Sequence, residues 1–122
     1  MTLLYVALGG AIGSVARYVV AERVNGWTDY AAAGTLMVNV AGSFLIGLLL
    51  TLGESRFDWP QDLRVFIAAG FLGGFTTFSA LTWQTYRYAD AGDAGAAAVN
   101  VGLSVVLGVL AVWAGASLAR VG

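Results

Sequence analysis

The sequence predicts an all-α integral membrane protein with four transmembrane helices. Of its 122 residues, 59% are hydrophobic and only 11% are charged, whereas a soluble domain carries about 25% charged residues. Four apolar stretches, each close to the roughly 20 residues that cross a bilayer, are separated by short polar segments. Because these stretches take up nearly all of the chain, we expect one membrane domain over residues 1–122.

Polar and turn-forming residues define the limits of each span. The spans are predicted over about residues 3–21, 31–52, 64–86 and 94–118. Pro60 precedes the third span, and Gly92 lies in the turn before the fourth. The first stretch has no basic residues ahead of it, and the chain remains apolar after it, so we interpret it as a retained helix and not a signal peptide.

The ionisable residues argue against several classes of function. The chain has no cysteine and no histidine, which removes thiolate chemistry and the usual proton shuttle. All acidic residues lie outside the spans or at their ends. An enzyme is therefore not expected. The net charge of −1 gives no indication of a nucleic-acid partner.

The arginines do not predict one orientation in the membrane. Four spans put both termini on the same side. If Arg17 lies near the surface, each side then carries three arginines: Arg56, Arg64 and Arg120 on one, and Arg17, Arg23 and Arg87 on the other. The positive-inside rule therefore gives no preference. Either the short loops hold too few charges, or the protein inserts both ways and pairs antiparallel; charge alone favours neither.

Small and polar residues recur every four positions in two spans. The second span contains Thr35, Asn39, Ser43 and Gly47, and the fourth contains Asn100, Ser104 and Gly108. Such a spacing places the side chains on one helix face. They either hold helices together by hydrogen bonds or line a polar path whose uncharged donors suit a small anion.

Glycine pairs and one arginine complete the membrane-depth features. Gly9 with Gly13, and Gly70 with Gly74, have the spacing that lets helices approach closely, and we interpret them as packing. Arg17 lies four residues before the predicted end of the first span. It either extends to the interface or supplies positive potential at the mouth of an anion path.

The third span carries the densest motif, which reads GFLGGFTTFS over residues 70–79. Three glycines and two adjacent threonines disfavour a continuous helix, so we expect this span to be broken near its middle. A break at membrane depth is tolerated only where it is buried or lines a cavity. It would free carbonyl oxygens able to coordinate a hard cation such as Na⁺.

With these motifs in order, the chain resembles the Fluc (CrcB) fluoride channel family over essentially its whole length. The matching segments are residues 10–13 with Arg17-Tyr18, residues 34–36, Val38-Asn39, residues 42–44, and the GFLGGFTTFS motif. The resemblance implies an antiparallel dual-topology dimer in a prokaryotic cell membrane. It further implies passive, fluoride-selective export and a central structural Na⁺ that is not transported.

The resemblance also assigns roles to residues. It implies that Gly73 and Thr76 hold Na⁺ through their carbonyl oxygens, and that Arg17 lies at the pore vestibule. The fluoride pore would be lined by Asn39, Ser43, Thr77, Phe78, Ser79 and Ser104. Phe78 would turn the positive edge of its ring toward the ion.

The chain departs from the family pattern at Leu81, where a second phenylalanine is usual, and Asn100 stands where many members have tyrosine. Leucine lacks a positive ring edge, so one anion station is expected to be altered. The partner subunit is then either an identical chain or a related one that carries both phenylalanines.

Two other functions compete with a fluoride channel. A small dual-topology multidrug or cation exporter needs a membrane-embedded glutamate, whereas Glu22 and Glu54 lie at span ends. A non-transporting membrane scaffold subunit needs no polar path at all.

Overall fold

The computed structural model describes residues 1–121, and these form four helices long and apolar enough to cross a membrane. Three spans are single helices: α1 (Thr2–Asn25), α2 (Ala33–Ser55) and α6 (Ala94–Arg120). The third span is built from α3 (Gln61–Val65), a π-helical segment (Phe66–Leu72), α4 (Gly73–Phe75) and α5 (Phe78–Asp90). The predicted all-α fold with four membrane-spanning helices is confirmed.

The helices extend beyond the predicted spans. The first was predicted to stop near residue 21 but continues to Asn25, and the third continues to Asp90 instead of residue 86. The apolar run sets only how much of a helix needs lipid around it. Charged residues such as Glu22 and Arg87 are good helix formers, so the backbone hydrogen bonding continues past the apolar part.

Polar side chains fix the short connections between spans. The carboxamide oxygen of Asn25 accepts a 2.8 Å hydrogen bond from the Gly34 N–H at the start of α2. The Asp93 carboxylate accepts one of 2.9 Å from the Ala96 N–H at the start of α6. Both satisfy N–H groups that a first helical turn leaves without partners. The turn before α6 needs a left-handed residue, which Gly92 supplies with a φ of +87°.

The first span packs closely against the third through glycines. A Cβ atom on Gly9 would lie 2.8 Å from the carbonyl oxygen of Phe66, and one on Gly74 would lie 2.7 Å from that of Gly10. A Cβ on Gly13 would collide with the Phe71 carbonyl. These glycines therefore pack as the small-residue pairs predict. The contact brings α1 against the middle of the third span.

The second and fourth spans form the other close pair. Gly47 of α2 lies directly against the backbone of Val112, and Gly115 of α6 lies against the backbone of Phe44. Large apolar side chains on the outer faces of α1 and α6 are mostly exposed, including Val15 and Trp113, each at 65%. In a membrane-spanning chain such faces suit contact with lipid.

The close approach of α1 to the third span predicts opposite effects of one substitution at two glycines. Gly13→Ala should lower the free energy of unfolding by about 1–3 kcal/mol, since the new methyl group meets rigid backbone. Gly102→Ala is the matched control, because a Cβ there meets nothing within 4 Å and alanine favours the helix. Detergent-solubilised protein unfolded by heat or SDS provides the comparison. Equal stability of the two variants would contradict this packing.

Candidate functional site

The third span is interrupted at two threonines. Thr76 has φ −98° and ψ 158°, and Thr77 has φ −149° and ψ 114°, both extended conformations between α4 and α5. The helix restarts at Phe78, where the Thr77 hydroxyl accepts a 3.2 Å hydrogen bond from the Ala80 N–H. The interruption thus has its own N-terminal cap. It lies in the GFLGGFTTFS motif, where the sequence predicted a break.

The side chain of Asn39 on α2 pairs with the backbone at this break. Its carboxamide oxygen accepts a 2.7 Å hydrogen bond from the Thr77 N–H, and its Nδ2 donates a 3.0 Å hydrogen bond to the Thr77 carbonyl. Both backbone groups of one extended residue are therefore satisfied by one side chain. This pairing fixes the carboxamide orientation and connects α2 to the third span.

Arg17 of α1 reaches the same break from the other side. Its Nε donates a 3.1 Å hydrogen bond to the Gly74 carbonyl. Because α1 continues to Asn25, Arg17 lies eight residues before the helix end, deeper than the four residues predicted. The side chain is half-buried and contacts the backbone at membrane depth, which the sequence alone did not indicate.

The break also releases the carbonyl of Gly73. In a continuous α-helix this oxygen would accept from the Thr77 N–H, but that N–H donates to Asn39. Thr76 directs its own N–H and hydroxyl to the Leu72 carbonyl, at 3.0 and 2.9 Å. Gly73 is exposed and Thr76 is half-buried, so the break lies at the surface of the subunit.

A cleft of about 320 Å³ opens between α2 and the third span beside the break. Its walls include seven residues singled out from the sequence: Asn39, Ser43, Gly73, Thr76, Thr77, Phe78 and Leu81. Gly42, Ile46, Ala68 and Leu72 complete the lining. Phe78 is 77% exposed at one edge, whereas Leu81 is only 7% exposed.

The cleft is lined by neutral polar groups in an apolar wall. None of its lining residues carries a charge. Within residues 1–121 there is also no group of three or more histidine, cysteine, aspartate or glutamate residues that could hold a metal ion. Hydroxyl and carboxamide donors interact with an anion without the strong binding of an ammonium or guanidinium group. Such a lining suits an ion that must both enter and leave.

Two predicted pore residues lie outside this cleft lining. Ser79 is exposed, and its hydroxyl lies 3.3 Å from that of Thr77. Ser104 on α6 is only 8% exposed, and its hydroxyl has no hydrogen-bond partner in the described part of the chain. The two polar stripes do approach each other, since a Cβ on Gly108 would lie 3.5 Å from the Ser43 hydroxyl.

A partly buried hydrogen-bond chain centred on Asn100 was not predicted from the sequence. The Tyr30 hydroxyl donates to the Asn100 carboxamide oxygen at 2.9 Å, and Asn100 Nδ2 donates to the Thr85 hydroxyl at 3.0 Å. Asn100 is 1% exposed, so its carboxamide holds α6 to α5 and to the loop before α2. Burial, and to a lesser extent the nearby Tyr88, raises the pKa of Tyr30. The residues are too far apart in sequence for a periodic pattern to reveal their contact.

Comparison with known proteins gives matches over nearly the whole chain. The family model described as "CrcB-like protein, Camphor Resistance (CrcB)" matches residues 4–116. The "Fluoride-specific ion channel FluC" of Hydrogenovibrio crunogenus is 43% identical over 117 residues, which cover 94% of this chain and 88% of that protein. The protein of the same name from Acidobacterium capsulatum is 44% identical over 119 residues, covering 94% and 93%. That from Geobacter sulfurreducens is 42% identical over 120 residues, covering 98% and 97%.

The paired hydrogen bonds of Asn39 predict a specific loss of stability at the break. Asn39→Ala leaves the Thr77 N–H and carbonyl without partners, which should cost about 1–3 kcal/mol of unfolding free energy. Amide hydrogen exchange should accelerate most at Thr77. Ser79→Ala, which removes an exposed hydroxyl two residues away, is the matched control and should change little. Unaltered exchange at Thr77 in Asn39→Ala would refute the structural role of this pairing.

Proposed function

This chain belongs to the CrcB-like protein family, and from that membership and its cleft we propose that it is a subunit of a fluoride-selective ion channel. The channel gives passive export of fluoride across the cell membrane of a prokaryote and so lowers fluoride toxicity in the cytoplasm. The observation that carries the proposal is the uncharged polar cleft beside the third-span break. Relatives that match 94% of this chain bear the name of fluoride-specific ion channels.

As fluoride moves through the cleft, hydrogen-bond donors in the lining replace part of its hydration shell. The Ser43 and Thr77 hydroxyls and the Nδ2 of Asn39 are the available donor groups in the lining. Phe78 adds the positive edge of its ring. Because no lining residue is charged, each contact is weak enough for the ion to move on.

The cleft is open on one side of a single subunit, and a second subunit closes it. We propose an antiparallel dual-topology dimer in which both subunits contribute to each pore. The 77% exposure of Phe78 supports this arrangement, since a large apolar ring at an ion path needs a covering surface. With Arg17 set aside because it contacts the break, three arginines lie on one membrane side and two on the other, a near balance that also permits insertion in both orientations.

A structural Na⁺ at the dimer centre is the second part of the proposal. The carbonyl oxygens of Gly73 and Thr76 would hold it, because backbone oxygens are the ligands that hard cations prefer. The diversion of the Thr77 N–H to Asn39 supports this, since it leaves the Gly73 oxygen without its helical partner. A bound Na⁺ would supply positive charge that holds the two third-span breaks together.

The channel proposal predicts fluoride efflux from liposomes that depends on Phe78. Phe78→Ala should lower the efflux rate roughly tenfold, equivalent to ~1.4 kcal/mol and near the upper end for an aromatic quadrupole contact. Trp113→Ala is the matched control, because Trp113 is a comparably exposed aromatic residue, at 65%, outside the cleft lining. It should leave the rate unchanged. A fluoride-sensitive electrode records the efflux.

Two outcomes of this assay count against parts of the proposal, and a third decides whether the partner is an identical chain. Chloride efflux as fast as fluoride efflux would reject selectivity. Equal rates for Phe78→Ala and wild type would remove Phe78 from the pore. If the chain alone gives no efflux while co-expression with a related four-helix subunit restores it, the dimer is a heterodimer and not a homodimer.

The Na⁺ site predicts dependence on the bathing cation. Replacing Na⁺ by N-methylglucamine on both membrane sides should reduce fluoride efflux or the dimer fraction several-fold, because a bulky cation cannot fit among carbonyl oxygens spaced for Na⁺. Return of Na⁺ should restore both. Insensitivity to this exchange, measured by efflux and by cross-linking in detergent, would reject the assignment to Gly73 and Thr76.

A further inference from the structure

A second cleft adjoins the first at the other end of the groove between α2 and the third span. It has a volume of about 360 Å³ and is lined by Leu50 and Glu54 of α2 together with Gln61, Arg64 and neighbouring residues of the third span. Ala68 lines both clefts. The two clefts are therefore neighbours with Ala68 in the wall of each, and both border the groove between α2 and the third span.

Arg64 is the cationic group in this outer cleft. Its side chain is half-buried, and its Nε is buried without a hydrogen-bond partner among residues 1–121. A buried guanidinium N–H without a partner is unfavourable, and a carboxylate, water or anion normally satisfies it. Arg64 precedes Ala68 by one helical turn and lines the outer cleft, so the cation lies beside the space that adjoins the inner cleft.

The composition of the outer cleft differs from that of the inner one. The inner cleft is uncharged, whereas the outer cleft contains one cation, Arg64, one anion, Glu54, and the carboxamide of Gln61. A cation beside carboxamide donors attracts small anions from water, and a carboxylate in the same space opposes them. Arg64 and Glu54 thus have opposite expected effects on anion entry.

We infer that Arg64, with Gln61, forms an outer station that draws a small inorganic anion into the groove and passes it by Ala68 to the Asn39 cleft. The inference rests on the proposed fluoride channel and adds an entry site to it. Glu54 weakens the attraction, which prevents the anion from remaining bound at the guanidinium. The outer cleft then attracts the anion from water, and the inner cleft selects which anion passes.

The test compares neutral variants of the two charges in liposomes at low ionic strength, with fluoride as the only permeant anion. Arg64→Gln should raise the fluoride concentration for half-maximal efflux about threefold, and Glu54→Gln should lower it by a similar factor. Arg64→Lys keeps the charge and should restore the wild-type value. Added sodium gluconate at about 0.5 M should remove these differences, because salt screens a charge over several ångströms.

The outcomes separate this inference from the channel itself. If the wild-type chain conducts fluoride but Arg64→Gln and Glu54→Gln shift the half-maximal concentration in the same direction, or not at all, the outer station is refuted and the channel remains. If Arg64→Gln does not fold, Glu54→Gln still tests the outer station, because it should lower the half-maximal fluoride concentration. Absence of fluoride efflux in the wild type refutes the channel and this inference together.

Discussion

A transmembrane helix can be interrupted only where its released backbone groups find new partners, because lipid provides none. At the break in this chain the partners come from two other spans. Asn39 on α2 satisfies both backbone groups of Thr77, and Arg17 on α1 satisfies the carbonyl of Gly74. The glycine contacts bring α1 against the third span, and this places the Arg17 backbone close enough for its side chain to reach the Gly74 carbonyl. The break, and the cleft beside it, therefore depend on all three spans.

Because Asn39 supports the break, few of its hydrogen-bond donors are left for an ion. Its oxygen and one N–H are engaged with Thr77, so a single N–H remains. The Thr76 hydroxyl donates to the Leu72 carbonyl and is likewise engaged. The donors that remain in the cleft are then the Ser43 hydroxyl, one carboxamide N–H, and the Thr77 hydroxyl, which lies 3.3 Å from that of Ser79. In the proposed channel, a path with so few donors and no charge would bind an anion weakly, as rapid passage requires.

The sequence predicted the parts of this arrangement that depend on composition and local conformation. Apolar length gave the number of spans, and the glycines and threonines of residues 70–79 gave the break. It did not predict which side chains satisfy the break, since Arg17 and Gly74 are 57 residues apart. The sequence also did not show that the stripe in the second span has two different neighbours. Asn39 and Ser43 line the cleft, whereas Gly47 packs against Val112. Spacing identifies a helix face but not its neighbour.

The structure shows where Leu81, the departure from the family pattern, lies in the cleft wall. Leu81 and Phe78 lie three residues apart on α5, yet Leu81 is 7% exposed and Phe78 is 77% exposed. Leu81 thus belongs to the inner wall of its own subunit, and Phe78 lies at the open edge that the proposed partner covers. A related partner with phenylalanine at the matching position would carry that ring within its own wall. Leucine at this position therefore alters the cleft of this subunit itself, and in the proposed dimer Phe78 is the aromatic residue at the subunit boundary.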